Sequence, residues 1–428
     1  MLVAVQAGSA AFDELVARLA RRGESDFSKV EPAVREILQA VRTEGDVAVH
    51  RYVERFEARR ASALYQTDYA GAQALASLAP AIRDALGEAR QRIARYHEKQ
   101  AAQLTSFQYT EGGVTLGSRV TPLERVGVYV PGGKARYPSS VLMSAVIARV
   151  AGVRQIIVAS PDAGVEVRAA CHVAGVHALL DAGGAHAVGA LAYGTQSIPK
   201  VDKIVGPGNV YVAAAKRLVF GEVDIDSIAG PSEILVVADE SADAAVIAAD
   251  LLSQAEHDEA AYALLVTTSA ALVDQVRKAL GTQLATLPRR AVAEASLLRN
   301  GAAFVVADRD GLANIANRLA AEHVALHVRE AADLAQRIER AGAIFVGAAT
   351  PEAAGDYLAG PSHVLPTGGA ARHAAPLGVY DFVSRSSIIS YDTAALSAQA
   401  GHITALARVE GLEAHARAVE VRLGKSGG

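Results

Sequence analysis

The sequence has no tryptophan, one cysteine and two methionines in 428 residues, and only 5% of it is aromatic. One thiol, Cys171, excludes an internal disulfide, a cysteine-ligated zinc cage and a CxxC redox pair. It also fits a cytoplasmic address. Scarce aromatics leave the core to Val, Ile, Leu and Ala, which suits helices laid over aliphatic strands. Charge is nearly balanced, 42 Lys and Arg against 46 Asp and Glu. Without a basic field, nucleic acid is not an expected partner. No run approaches 18 apolar residues, so no membrane span is expected. At the start, Asp13 and Glu14 interrupt a short apolar patch, which lacks the charged start and long apolar run of a signal peptide. Internal repeats and low-complexity segments are also missing.

What is present is an average globular composition, 51% hydrophobic and 21% charged. At roughly 100–200 residues per domain, the length predicts two to four domains. Residues 10–100 read as helices, with apolar spacing over Val30–Tyr52 and Ile82–Tyr96. Phe107–Arg119 alternates around Gly112–Gly113 as a hairpin would. From about residue 125, the runs VGVYV, QIIVAS, ALLDAG, KIVGPG, EILVVAD, ALLVTTS, AFVVAD and AIFVG read as buried parallel strands with crossover helices. Two Gly-rich loops, Pro131–Lys134 and Gly206–Asn209, follow strands, where open α/β sheets bind ligands. Beyond Asp381 a strand-like SIISYD and further helices form a tail too short for its own core, predicted to dock on another domain or subunit.

Few residues stand out chemically. Gln254 and His257 are spaced i, i+3 on a predicted helix, where they could share a metal ion or line a solvated acidic face. Glu322 and His323 pair a carboxylate with an imidazole at a predicted helix C-terminus. They could serve two proton transfers or be exposed polar residues. Asp356, Tyr357 and His363 share a loop rich in Gly and Pro, a setting for positioned polar groups. Glu410 and His415 fall in a terminal helical stretch that a solvated face would explain. Cys171, in an Ala-rich helix, reads as a small buried hydrophobe. GPGNVY begins like a dinucleotide fingerprint but ends in Tyr211 where the third glycine should be.

In order along the chain, ERVGVYVPGGKARYPSSVLMSA, IPKVDKIVGPGNVYVAAAKRLVFGEVDID, IAGPSEILVVAD, SQAEHD, AAEH, GDYLAGPSHVLPT and EGLEAHA closely resemble the histidinol dehydrogenases. The resemblance implies oxidation of L-histidinol to L-histidine through the aldehyde, with two NAD reduced and one zinc per subunit. It assigns the metal to Gln254, His257, Asp356 and His415, the last coming from the partner subunit of a homodimer with a shared site. Glu322 and His323 match the catalytic pair, His323 as the base for the alcohol and Glu322 as activator of the water that adds to the aldehyde. Ser232, His363 and Glu410, with Tyr357, match substrate contacts, to which the metal-binding residues and His323 add. Tyr129, His186 and Asn209 match positions that touch NAD.

The implied fold is α/β. Two open, mostly parallel, incomplete Rossmann-like domains carry a helical N-terminal segment and a small C-terminal tail domain that docks on the partner. The boundaries expected are 1–128 with 234–377, then 129–233, then 378–428. Chemistry agrees with the resemblance, since taking an aldehyde to an acid needs a thiol adduct or a hydrate, and Cys171 is unsuited. Three positions depart from the family pattern: His186 stands for a common Gln, Ser227 for a common Met, and Ala325 for a common acidic residue. His186 predicts a weaker or pH-dependent cofactor contact. The alternatives are a related dehydrogenase for another small amino or hydroxy alcohol, or a zinc hydrolase.

Overall fold

The computed structural model describes residues 2–23, 27–132 and 137–424. Two compact units emerge: Met1–Gln100 with Leu123–Phe382, and Ala101–Pro122 with Val383–Gly428. The larger unit is α/β and holds two six-stranded sheets.

The first sheet runs in the order Val3–Gln6, Ala302–Val305, Tyr262–Thr267, Glu233–Ala238, His323–His327 and Ala343–Val346, with every pairing parallel. Alternate residues serve its two faces. Leu235, Val237, Leu264 and Val266 belong to one core cluster, while Ile234, Val236, Ala263 and Leu265 belong to the other. Near-continuous β-branched and aliphatic runs are what burial on both faces demands. In this core Phe12 packs against Phe304, edge to face at 5.6 Å.

The second sheet runs Tyr65–Gln66, Ala178–Leu180, Gln155–Ala159, Arg125–Tyr129, Lys203–Val205 and Asp224–Ile225, parallel except at the Tyr65–Gln66 edge. Tyr65–Gln66 is a strand inside residues 10–100, which read as helical from sequence, and Val3–Gln6 is a strand just ahead of them; each is recruited to a sheet edge by partners far along the chain. The helical spacing over Val30–Tyr52 corresponds to two helices, Glu31–Glu44 and Asp46–Glu57, parted at Gly45 with φ of +61°.

In the smaller unit, the expected hairpin pairs Phe107–Glu111 with Val114–Pro122, and Val383–Tyr391 adds a third antiparallel strand. Helices Thr393–Val409 and Glu413–Arg422 complete it. Among the described residues, no helix is long and apolar enough to cross a membrane.

Candidate active site

Two neighbouring strands of the first sheet begin at Glu233 and His323, with Ile234 paired to His323. Both starts are buried, so their polar groups must find partners. They find one another. The Glu233 N–H donates to Glu322 Oε2 at 2.8 Å, and the Glu322 N–H donates to Glu233 Oε2 at 3.3 Å. His323 Nδ1 lies 3.0 Å from the Glu233 carbonyl. A carbonyl only accepts, so Nδ1 carries the proton and Nε2 keeps a free lone pair. The expected helix C-terminus is absent here: the helix Arg309–Leu319 ends at a left-handed Ala320, and His323 opens a strand instead.

Gln254 arrives on the helix Ala244–Ala255, capped by Asp243, which accepts from the Ala245 N–H at 2.7 Å. Ile247, Leu251 and Gln254 fall on its buried stripe. A buried amide needs partners. With its nitrogen toward Glu352, the Gln254 side chain donates to both carboxylate oxygens, at 2.5 and 3.2 Å. His257 does not share the helix. Glu256 ends it, and the His257 N–H bonds the Gln254 carbonyl at 3.2 Å. A turn, not one helix face, brings the two residues near each other.

The short helix Glu352–Tyr357 presents Glu352 and Asp356 one turn apart. Ligand-capable atoms of His323, Glu352 and Asp356 lie within 4.8 Å of one another. His363 Nδ1 is 3.1 Å from the Asp356 carbonyl. Ser232, half-buried, immediately precedes Glu233, and Tyr357 is exposed. Glu410 and His415 are exposed in the smaller unit, Glu410 capping Thr393–Val409 and His415 within Glu413–Arg422.

Electrostatics mark this cluster. Burial holds Glu322 well above the carboxylate range, reinforced by the charge of Glu233 and, less, of Glu352 and Asp356. Burial does the same to Glu352, helped by Asp356 and Asp250. Asp356 is pushed up to about 6 by burial. Burial pushes His323 down to about 4, aided by His257 and His363, and His363 likewise to about 4. Crowded carboxylates that resist ionising beside imidazoles that resist protonation are a donor set suited to a divalent cation. The oxygen and nitrogen ligands match zinc or a neighbouring transition metal.

Around the second sheet, the Gly-rich loops follow strand ends as expected, although Gly133 and Lys134 lie outside the described residues. The Tyr129 hydroxyl accepts from the Gly184 N–H at 3.0 Å. Buried His186 has Nε2 3.3 Å from Glu57 Oε1, while its Nδ1 has no hydrogen-bond partner among the described residues. Asn209 caps the helix Val210–Val219 through the N–H groups of Tyr211 and Val212.

Sequence reasoning missed Glu352 and Glu233. Glu352 had a signal, since it stands four residues before Asp356. Glu233 had none, because what matters is its pairing with residue 322 across the sheet.

The family model described as histidinol dehydrogenase matches residues 20–423. Similar proteins include histidinol dehydrogenase of Geobacter sulfurreducens, 50% identical over 96% of this chain and 97% of that protein. The Bacillus anthracis histidinol dehydrogenase is 48% identical over 92% of this chain and 93% of its own length. A crystal structure of histidinol dehydrogenase from Elizabethkingia anophelis superposes with a TM-score of 0.91 at 30% identity, covering 99% of this chain and 98% of that one.

Proposed function

The chain belongs to the histidinol dehydrogenase family, an oxidoreductase family of histidine biosynthesis, and from that premise we propose that it converts L-histidinol to L-histidine by two successive NAD-linked oxidations at a zinc site. The observation that carries this reading is the buried pair Glu322–His323 set against the donors Gln254, Glu352 and Asp356.

When bound, NAD accepts the hydride of each oxidation, and zinc acts as a template for the amine and imidazole nitrogens of the substrate. Gln254, His257 and Asp356 would hold that ion, with His415 of the partner subunit as fourth ligand. His323 does the first proton work. Its Nδ1–H is fixed on the Glu233 carbonyl, so Nε2 faces the substrate as the acceptor of the hydroxyl proton. Glu322 does the second. Its carboxylate, anchored through Oε2, takes a proton from the water that adds to the aldehyde. Oxidation of the resulting hydrate gives the acid without a thiol adduct, consistent with a Cys171 buried inside a helix. Ser232, His363, Tyr357 and the partner's Glu410 would bind substrate, and Tyr129, His186 and Asn209 would bind NAD. The active enzyme is then a homodimer.

The test is the stoichiometry of NADH formed per histidinol, with and without chelator. Two per substrate, lost on chelation and restored by zinc, are expected. One per substrate would leave an ordinary alcohol dehydrogenase, and none would leave a hydrolase.

A further inference from the structure

Glu233 does more than begin a strand. Its carboxylate is completely buried and accepts from four donors. Arg22 Nε and the Gly368 N–H reach Oε1, both at 2.7 Å, while Arg22 Nη2 and the Glu322 N–H reach Oε2, at 2.5 and 3.3 Å. Arg22 is itself spent: side-chain exposure across the pair is 1% and 0%, and its remaining nitrogen donates to the carbonyls of Leu19 and Leu319 at 2.7 and 2.9 Å. The Glu233 backbone meanwhile holds the Glu322 carboxylate and the His323 ring.

A buried ion pair gives little net stability over a well-packed apolar pair of similar volume. Its worth here is geometric. The pair ties three separate places, the turn after the first helix, the strand bearing the catalytic pair and the loop at Gly368, to one carboxylate. We propose that Glu233, locked by Arg22, is a positioning residue that sets the Glu322 carboxylate for the water-dependent half of the reaction. The inference rests on the role given to Glu322 above. Glu233 acts on Glu322 through its side chain as well as its backbone, but on His323 through its carbonyl alone. A side-chain substitution therefore strikes the two half-reactions unequally.

The two halves separate cleanly with supplied aldehyde. Its oxidation by NAD consumes water, whereas its reduction by NADH with a proton, the reverse of the first step, does not. Both rates are measured per zinc-loaded site in Glu233→Gln and Glu322→Gln. Glu233→Gln is expected to lower aldehyde oxidation about ten- to hundredfold and reduction by less than about threefold, because a small displacement of a reacting group has effects of that order. The ratio of the two losses should match that of Glu322→Gln. If Glu233→Gln leaves Arg22 unpaired and fails to fold, the double variant Arg22→Met with Glu233→Gln removes both charges and carries the same expectation.

Equal losses in both directions, where Glu322→Gln is unequal, would reduce Glu233 to a structural stitch and overturn the inference. If Glu322→Gln itself lowers both equally, the water-activation role fails separately. The positioning inference then requires Glu233→Gln to lower both to the same extent per loaded site, and a smaller loss overturns it.

Discussion

The side-chain amide of Gln254 is bound by the carboxylate of Glu352, which accepts both of its contacts, at 2.5 and 3.2 Å. A neutral amide binds a metal through its oxygen, and here the carboxylate holds the nitrogen side of the group. The nitrogen is taken by Glu352, so the oxygen is the atom left for an ion. Partners of this kind tune metal sites by orienting the ligand.

Glu352→Ala should therefore weaken zinc retention by about 10- to 100-fold, the usual effect of removing a ligand's orienting partner. Competition against a chromophoric chelator measures it directly. Unchanged affinity would show that Gln254 needs no orientation, and would leave Glu352 as a buried acid without a task.

Much of this was legible in the sequence, for physical reasons that differ by residue. Strands buried on both faces announce themselves as aliphatic runs, so EILVVA and YALLVT are recognisable from sequence alone. Edge strands such as Val3–Gln6 depend on partners about three hundred positions away, as in Val3 against Ala302, and carry no local mark. Gln254 and His257 were visible as a pair, but their relation turned on where the helix stopped, and Glu256 offers no strong stop signal. Glu322 and His323 were visible as a pair too. What makes them a unit is the Glu233 backbone, which only the sheet register supplies.

His415 is the residue for which spacing said least. It is exposed in the smaller unit, and family resemblance alone gives it to the metal of a partner. Mixing two inactive variants, Gln254→Ala and His415→Ala, decides the matter. A heterodimer with sites shared between subunits has one intact site, so random reassortment should restore about a quarter of the native activity. No restoration would mean that each chain builds its site alone.

At the other sheet, Lys216 and Asp226 form a buried ion pair that grips both backbone polar groups of Gly206, at the start of the loop. Lys216 Nζ donates to the Gly206 carbonyl at 2.9 Å, and the Gly206 N–H donates to Asp226 Oδ2 at 2.7 Å. Gly206 has φ of +109°, and a Cβ there would strike the Tyr129 carbonyl. The pair thus holds the GPGN loop in a shape that the next residues need. Lys216→Met with Asp226→Asn should raise the Kd for NAD about tenfold or more, the scale of losing one well-placed interaction. The KM for histidinol should stay near its native value. Equal changes in both constants would assign the pair to general stability instead.

Cys171 tests the thiol-free chemistry. It lies buried within the helix Val165–Ala174, and burial pushes its thiol far above the ordinary range. A raised pKa leaves almost no thiolate near neutral pH, and the thiolate is the nucleophile. Native protein should accordingly resist alkylation by iodoacetamide at pH 8, and become labelled only on unfolding. Cys171→Ala should retain both half-reactions at native rates, with a stability loss on the order of 1 kcal/mol from the lost packing. If alkylation of the folded enzyme were fast, or the alanine variant accumulated aldehyde, a covalent thiol step would replace the water-activated route, and Glu322 would lose its assigned role.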